Sequence, residues 1–482
     1  MPDSDYTPVP GASAAQNDLL RTIATKFATS DENLLSVANE VYTSIVNGLQ
    51  TDDTDSQPES LPCRVSYVKS GITQDIRAAE DTDKIALGLT INTSAGWFKM
   101  ASVRLHGNGQ ADEVNKQIFR MPRSGSSGGS SGLDTPAKLF EAAATHVAEF
   151  INSHGLDSTK QTLPLGVTID LPLEETSKRG GRVVCGSRAC SGMFGNVDIA
   201  RSLDDHLAKQ HLPVRVTATT NCAISTMVAA QRHFAHTCAA LILNHGINAA
   251  YYERACEIPK IKGSELGNSP RALVAVNTEL ARFGEGSRAL QPTMWDHRID
   301  RESLNTGRHV FEKLVADKYL GEIVRNLITD FMDARLIFPR DADATMFSQP
   351  YSFFTSYMTI MDDSSEDLRE VGDLLTAGFN VQASDVDRRI VRELCRIVAM
   401  RAARLVGAAV AGIVKRAGEA ADESPAVVSI SGQLTEMNQP YVRCTVDTAQ
   451  RLAHEMQLPK PTFNVLGEDG YTVGAALASL SK

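Results

Sequence analysis

Cysteine has the broadest chemical repertoire in this chain, because a thiol can bind metal, form a disulfide or act as a nucleophile. The eight cysteines are scattered along 482 residues, at Cys63, Cys185, Cys190, Cys222, Cys238, Cys256, Cys395 and Cys444. None of them forms a CxxC pair with a matching second pair. The spacing therefore offers no four-ligand zinc cluster, and we expect no metal site. Scattered thiols in a long chain are typical of a reduced, intracellular protein.

A glycine- and serine-rich tract, Ser124–Gly132, is the second candidate for chemistry, because such loops can hold phosphate with their backbone N–H groups. Its composition favours a flexible surface loop, since a phosphate cradle also needs a helix start or a nest of N–H groups. Glu279 and Glu312, taken alone, are typical of an ordinary loop and of a solvated helix face. No single motif therefore identifies a function.

Length and composition predict a globular protein of several units. At roughly 150 residues per domain, 482 residues suggest about three units, and 42% hydrophobic residues supply large cores. The net charge of −10 and the lack of a basic stripe argue against direct nucleic-acid binding. No uninterrupted apolar run reaches the ~18 residues of a membrane span, and the polar N-terminus shows no secretory signal. We expect a cytoplasmic and/or nuclear location.

Hydrophobic periodicity predicts the elements that would position functional groups. Residues 1–13 are predicted to be a disordered tail, and residues 14–60 a helical segment. From residue 84 onward strands and helices alternate, which predicts an α/β fold. Predicted strands are Lys84–Leu89, Trp97–Leu105, Leu163–Asp170, Val214–Ala218, Ala239–Leu243, Ala426–Ile430 and Thr462–Leu466. Predicted helices are Thr135–Phe150, one from Ala223, Gly307–Phe331 and Ser384–Gly418.

An ordered series of segments resembles the hexokinase and glucokinase family. NTGRHVFEKLVADKYLGEIVRN at 305–326 resembles that family's FEK…YLGEIVR helix, which follows an NPG turn. VNTELARFG at 276–284 is similar to INTEWGAFG, and GEDGYTVGAAL at 467–477 to EDGSGKGAAL. The segments at 163–172, 219–227 and 241–253 resemble the family's LGFTFSFP, NDTVGTM and GTGTNACY. The likeness covers residues 14–482 in unbroken order.

The resemblance implies an α/β, two-domain hexokinase architecture of the actin-like, ribonuclease-H-like kind, with a sugar cleft between the domains. Under it, residues 61–219 and about 467–482 form the small domain, and residues 220–466 form the large domain. In active members the reaction transfers a phosphoryl group from ATP, with magnesium, to a sugar hydroxyl. That reaction needs a base on the hydroxyl and polar groups that position the sugar.

Several of the family's sugar-binding positions keep suitable residues, so the resemblance implies glucose or another hexose as a ligand. Ser187 and Arg188 replace the family's Thr-Lys pair, and the planar fork of arginine differs from a lysine point contact. The remaining positions match the family's residue types and are Asn221, Asn248, Asn277, Glu279 and Glu312.

The position of the family's catalytic aspartate is Cys222. A thiol of ordinary pKa, about 8.5, is mostly neutral at pH 7 and accepts hydrogen bonds weakly. Loss of a general base typically costs about 10²–10⁴-fold in rate. We favour a small buried residue at a site without chemical demand over a redox-sensing thiol, which would need a lowered pKa. Asp170, where the family has a sugar-contacting serine, is a possible surrogate base.

The phosphate and nucleotide positions also depart from the family's pattern. LGLTINT at 87–93 stands in place of LDLGGTN, and four extra residues follow it. Glycine is lost where a backbone cradle depends on its dihedral freedom, and a bulky ring replaces the serine of EDGSG, where it would obstruct a nucleotide. The degenerate positions are Gly88 (in place of the magnesium-side aspartate), Asn92, Thr93, Asn244, His245, Gly246, Gly432, Gln433 and Tyr471.

The losses fall together on base, metal and phosphate functions, so we expect a catalytically inactive protein that regulates or senses sugar and acts on an unidentified protein partner. Atypical hexokinase-like proteins of filamentous fungi, some linked to carbon-starvation control, are similar in this respect. The alternative is an ATP-dependent hexose 6-phosphotransferase that uses Asp170 as its base, and only then are ATP and magnesium expected as cofactors. A scaffold that binds neither ligand is the third hypothesis.

Overall fold

The computed structural model describes residues 6–52, 57–71, 84–106, 111–121, 135–156, 162–184, 195, 197–234, 236–264, 266–269, 272–338, 345–363, 367–421, 426–467 and 470–480. The strands are β1 (Arg64–Lys69), β2 (Ile85–Asn92), β3 (Trp97–Leu105), β4 (Ala111–Arg120), β5 (Leu163–Ile169), β6 (Leu173–Glu175), β7 (Gly181–Val183), β8 (Val214–Asn221), β9 (Thr237–Leu243), β10 (Ile247–Arg254), β11 (Leu273–Asn277), β12 (Val427–Ser431) and β13 (Thr462–Leu466).

The helices alternate with these strands. They are α1 (Ala14–Phe27), α2 (Asp31–Gly48), α3 (Pro136–Ser153), α4 (Ile199–Lys209), α5 (Cys222–Gln231), α6 (Met294–Glu302), α7 (Val310–Val315), α8 (Asp317–Asp333), α9 (Thr355–Asp363), α10 (Arg369–Phe379), α11 (Asp385–Ala421), α12 (Gln433–Met437), α13 (Gln439–Glu455) and α14 (Gly470–Leu480). The Gly/Ser tract at 124–132 lies outside the described residues.

The smaller of the two main sheets has five strands in the described part of the chain, in the order β4-β3-β2-β5-β8. Strands β2, β5 and β8 are parallel to one another. Strand β3 pairs antiparallel with β2, and β4 pairs antiparallel with β3 at the edge of the sheet. One face packs against α3 and α4, which contribute Phe140, Val147 and Leu203 to a shared core. The central strand β2 is buried along most of its length, as expected for a strand covered on both faces.

The larger sheet has six strands among the described residues, in the order β1-β11-β10-β9-β12-β13. Its outer face is covered by the long helix α11, which packs against α2 and α13. Its inner face shares a core with α5, α14 and the small sheet, in which Ile242 and Tyr252 meet Met227 and Leu477. Helices α5 and α14 therefore lie between the two sheets.

Glycines allow α14 to pack directly on its neighbours. A Cβ added at Gly88 in β2 would lie 2.0 Å from the carbonyl oxygen of Thr472, and one at Gly474 would lie 1.8 Å from that of Ser225. Neither backbone oxygen can move without displacing its helix. The glycine at position 88, predicted to mark a lost magnesium function, therefore also has a packing role beneath α14.

The N-terminal residues that the structure describes are ordered, which corrects the prediction of a disordered tail for residues 6–13. The Tyr6 hydroxyl donates to Asn17 Oδ1 at 2.6 Å, and the Val9 N–H donates to the same oxygen at 3.0 Å. Val9 is buried in the core of the large sheet. Hydrogen bonds to a single asparagine in α1 thus hold this segment in place. Residues 1–5 lie outside the described part.

Strand β1 belongs to the large sheet, whereas the sequence placed residues 61–219 in the small domain. Arg64 pairs with Asn277 of β11 in antiparallel register. Pairing satisfies the backbone groups along an otherwise open edge of β11. Glu175 of β6 also contacts β1, because its carboxyl Oε2 accepts from Ser66 Oγ at 2.5 Å and from the Tyr67 N–H at 3.1 Å.

Two long predicted helices differ from the structure at their ends. The one predicted over 307–331 is divided into α7 and α8, because Ala316 adopts an extended conformation with φ −83° and ψ 148°. The one predicted to end at Gly418 continues as α11 to Ala421. An 18-residue window of α11 is long and apolar enough to cross a membrane, but 89% of it is buried, as in a core helix.

Candidate functional site

The predicted cleft residues come from both sheets, and each sheet supplies one wall of the site. The ends of β5 and β8 supply Asp170, Asn221 and Cys222 from the small sheet. The start of β10 and the end of β11 supply Asn248 and Asn277 from the large sheet. The hydrogen bonds below join the walls, so residues distant in sequence form one site.

An amide chain brings four of the predicted sugar-binding residues together. Asn248 Nδ2 donates to Asn277 Oδ1 at 2.8 Å and to Asn221 Oδ1 at 3.3 Å. Asn277 Nδ2 donates to Glu279 Oε1 at 2.8 Å. Asn248 Oδ1 accepts the Leu280 N–H at 3.2 Å, which orients the amide. Each side chain is thereby held in one orientation before any ligand arrives.

Glu279 is held in an unusual backbone conformation. Its φ is 55°, in the left-handed region that non-glycine residues seldom occupy. The residue is buried, and this burial raises the pKa of its carboxyl, while Arg64 and the Asn277 amide oppose the rise. Such strain persists only where surrounding contacts hold it, and it is found at functional sites.

Glu312 reaches the same cleft from the first turn of α7. Its Oε2 lies 2.9 Å from Nδ1 of His309. Its Oε1 lies against Gly246, where an added Cβ would be only 2.6 Å away. The glycine at 246 therefore leaves room for this carboxylate beside the β9–β10 turn.

Cys222 is the first residue of α5, and Asn221 is its N-cap, accepting the Ala223 N–H at 2.9 Å. Burial raises the pKa of the Cys222 thiol to about 12, and the charge of Asp170 adds to the rise. The thiol is therefore neutral at physiological pH. Cys222 is half-buried, not fully buried as predicted. Its raised pKa argues against a redox-sensing thiol, which needs a lowered pKa.

The Asp170 carboxylate is engaged by the turn between β2 and β3, which we call the hairpin tip (Thr93–Gly96). Its Oδ1 accepts the Thr93 N–H and the Thr93 hydroxyl, each at 2.9 Å. Its Oδ2 accepts the Ser94 N–H at 2.9 Å. The predicted Asn92 shapes the same turn by accepting the Ala95 N–H at 2.8 Å.

The β9–β10 turn carries two further predicted residues with internal partners. Asn244 Oδ1 accepts the Gln433 N–H at 2.6 Å, beside Gly432, whose φ is 125°. His245 Nδ1 lies 2.9 Å from Asp317 Oδ2, and this hydrogen bond raises the pKa of His245.

The structure packs some predicted residues into the interior and leaves others undescribed. Tyr471 is a fully buried side chain at the start of α14, and Gly88 lies beneath that helix. Ser187 and Arg188 lie outside the described residues. Within the described residues, no group of three or more His, Cys, Asp or Glu side chains is placed to hold a metal ion.

Sequence reasoning missed three residues of the site. Thr168 donates to the Cys222 thiol, Asp317 partners His245, and His309 partners Glu312. The last pair was detectable, because residues three apart on a helical turn are neighbours. Asp317 and His245 are 72 positions apart, so no local signal connects them.

Comparisons with known proteins point to one family. Two family models, both described as hexokinase, match residues 19–232 and 238–481. The chain is 30% identical to Hexokinase-1 of Oryza sativa subsp. japonica, over 99% of this chain and 93% of that protein. It is 27% identical to the hexokinase of Kluyveromyces lactis, over 92% of this chain and 90% of that protein.

The structural comparisons confirm the predicted fold. A hexokinase from Schistosoma mansoni complexed with glucose superposes with a TM-score of 0.80, at 24% identity, over 97% of this chain and 100% of the other. A second hexokinase structure has a TM-score of 0.78 at 18% identity over the same shares. The two-domain α/β hexokinase architecture expected from the ordered motifs is therefore present. Together with the family matches, this shows that the chain belongs to the hexokinase family.

Proposed function

We propose that this hexokinase-family chain binds a hexose without phosphorylating it and acts as a regulatory or sugar-sensing protein. The observation that carries the proposal is Cys222 itself, a thiol at the head of α5 at the position of the family's catalytic aspartate, where burial raises its pKa to about 12. A neutral thiol accepts a proton from a sugar hydroxyl far less readily than a carboxylate does. The step that a general base accelerates therefore has no suitable acceptor there.

The residues on the phosphate side do not fit ATP and magnesium. In the hairpin tip, the N–H groups of Thr93 and Ser94 donate to Asp170, and Asn244 Oδ1 accepts the Gln433 N–H. A nucleotide phosphate would have to displace these internal acceptors. The carboxylate of the family's magnesium-side aspartate is also missing, because that position is Gly88.

The sugar side supports ligand binding. Asn248, Asn277 and Glu279 form one hydrogen-bonded chain, and Glu312 faces the same cleft. The similar Schistosoma mansoni structure contains glucose, so glucose is the hexose that we propose for this chain. Cys222 replaces the family's charged aspartate. Losing one charged hydrogen-bond partner costs roughly 1.5–3 kcal/mol of binding free energy, so the affinity for glucose is expected to be weak.

The second candidate function is a hexose 6-phosphotransferase with Asp170 as the base. In its favour, the Asp170 carboxylate is near enough to Cys222 to raise the pKa of that thiol. Against it, the same carboxylate already accepts from three donors of the hairpin tip. The regulatory role and its protein partner rest on the resemblance to the atypical fungal proteins. The cytoplasmic and/or nuclear location is proposed from the scattered cysteines.

Calorimetric titration of glucose without nucleotide tests the binding half of the proposal. We expect saturable heat from the unmodified protein and its loss in Asn248→Ala, whose amide joins both walls. Glu455→Gln, at an exposed position at the end of α13, is the control and should bind as the unmodified protein does. No heat from the unmodified protein would favour a scaffold that binds neither ligand.

A coupled assay for hexose 6-phosphate, with ATP and magnesium supplied, tests the other half. We expect no product above background from the unmodified protein. Clear product would overturn the proposal and support the second candidate function.

A further inference from the structure

The hairpin tip has the geometry of an anion site. Two consecutive backbone N–H groups, those of Thr93 and Ser94, point at one carboxylate, and the Thr93 hydroxyl adds a third donor. Successive N–H groups that converge in this way bind anions, including phosphate. The anion present is the side chain of Asp170.

The tip keeps its shape through contacts that do not involve Asp170. Asn92 Oδ1 accepts the Ala95 N–H at 2.8 Å, and the Asn92 carbonyl accepts the Gly96 N–H at 3.0 Å. The Gly96 carbonyl in turn accepts the Met121 N–H at 2.9 Å, just beyond β4. The donors should therefore stay converged when residue 170 is changed.

Asp170 is well placed to remain bound there. It follows β5 directly, and its own N–H donates to the Ile91 carbonyl at 3.3 Å, next to the tip. An acceptor held on the same chain has a high effective concentration, so an anion from solution competes poorly with it. Its negative charge also repels a second anion.

We propose that Asp170 is a built-in occupant of the anion site at the hairpin tip, and that a short neutral residue at position 170 opens this site to a phosphate group. The inference rests on the proposed function, since it explains why the phosphate half of the cleft is inactive. Asn244, which takes the Gln433 N–H at 2.6 Å, is a second internal acceptor on the opposite wall. On both walls, backbone N–H donors are thus bound by side chains of the protein itself.

Titration with inorganic pyrophosphate by calorimetry, with a chelator and no magnesium, tests the proposal. Since like charges brought together cost several kcal/mol, Asp170→Ser should bind pyrophosphate at least about tenfold more tightly than the unmodified protein. Asp205→Ser removes the same charge at an exposed position of α4 and should not gain affinity. Equal affinity of the unmodified protein and Asp170→Ser would overturn the proposal.

Hydrogen exchange of the peptide that contains Thr93 and Ser94 gives a readout that does not depend on affinity. Exchange should be faster in Asp170→Ser and should slow again on addition of pyrophosphate. If that variant does not fold, Asp170→Asn, which keeps the size and loses the charge, should show the same changes at smaller amplitude. A folded variant with unchanged exchange would overturn the proposal.

ADP in place of pyrophosphate distinguishes the sources of the phosphate group. If Asp170→Ser binds ADP more tightly than pyrophosphate, the opened site is assigned to a nucleotide. If it binds both equally, the site is assigned to the phosphate groups alone. Either result supports the opened site. The proposed function fails separately, through hexose 6-phosphate made by the unmodified protein.

Discussion

Thr168 donates a hydrogen bond to the thiol of Cys222, with 3.7 Å between Oγ1 and Sγ. A donor to sulfur favours the thiolate, and it lowers the pKa of Cys222. Burial nevertheless dominates, so the pKa remains raised to about 12. The net result is a protonated thiol at the head of α5.

The first prediction concerns the reactivity of this thiol. Because alkylation proceeds through the thiolate, Cys222 should label with iodoacetamide much more slowly at neutral pH than an exposed cysteine. Cys256, which is exposed, is the internal reference in the same protein. Peptide mass spectrometry over a series of pH values measures both. Labelling of Cys222 at neutral pH as fast as that of Cys256 would contradict the raised pKa.

A second prediction is that Cys222→Asp does not create a working kinase. The variant supplies a carboxylate at the base position, but Asp170 and Asn244 still occupy the phosphate-side donors. We expect hexose 6-phosphate formation to stay far below the ordinary kinase range of about 1–100 per second in a coupled assay. Cys222→Ser is the size-matched control. Turnover within that range would show that the base alone was missing.

A third prediction concerns the dependence of stability on pH. Burial raises the pKa of Glu175 to about 8, against about 4.3 for an ordinary glutamate. The folded state therefore binds the proton more tightly, and this contribution to stability is present below about pH 4.3 and is lost as pH rises through 8. Glu175→Gln should remove this loss, so its free energy of unfolding should rise relative to the unmodified protein between pH 5 and pH 8.

Urea unfolding at several pH values measures this effect. Glu174→Gln, at the exposed neighbouring position, is the matched control and should leave the pH dependence unchanged. Parallel stability curves for Glu175→Gln and the unmodified protein would refute the assignment.

A fourth prediction is that Gly474→Ala is strongly destabilising. The new Cβ would lie 1.8 Å from the Ser225 carbonyl oxygen, so α14 would have to move away from α5. Overpacking of this kind costs about 1–3 kcal/mol or more in the free energy of unfolding. Gly418→Ala, where nothing lies within 4 Å of the added Cβ, should instead gain up to about 1 kcal/mol of helix stability. Urea unfolding of both variants measures the difference.

The elements that periodicity predicted best are those whose neighbours in sequence decide their structure. The strand predicted over Thr462–Leu466 is β13 with the same bounds. The helix predicted from Ser384 begins at the next residue, with Ser384 Oγ donating to Asp387 Oδ2 at 2.8 Å. Both depend on residues within a few positions of one another.

What the sequence could not give depends on long-range contacts. The apolar spacing through 307–331 is continuous, and the break at Ala316 accompanies a hydrogen bond from the Asp317 N–H to the Asn244 carbonyl at 3.3 Å. Strand β1 could not be assigned to a sheet from its own residues, because its partner β11 is far along the chain. The ordered motifs did identify Asn221, Asn248, Asn277 and Glu279, which the structure joins. They gave no sign that Asp170 would hold the hairpin tip.

The packing of α14 has a consequence for how this chain is made. Thr472 in α14 bonds to Thr90 of β2 across 382 positions, and Ser479 accepts from Thr217 across 262. During synthesis on the ribosome, the small sheet is finished long before the helix that covers its inner face exists. Contacts of such separation form slowly. The nascent small domain should therefore expose an apolar face, and bind chaperones through it, until α14 emerges.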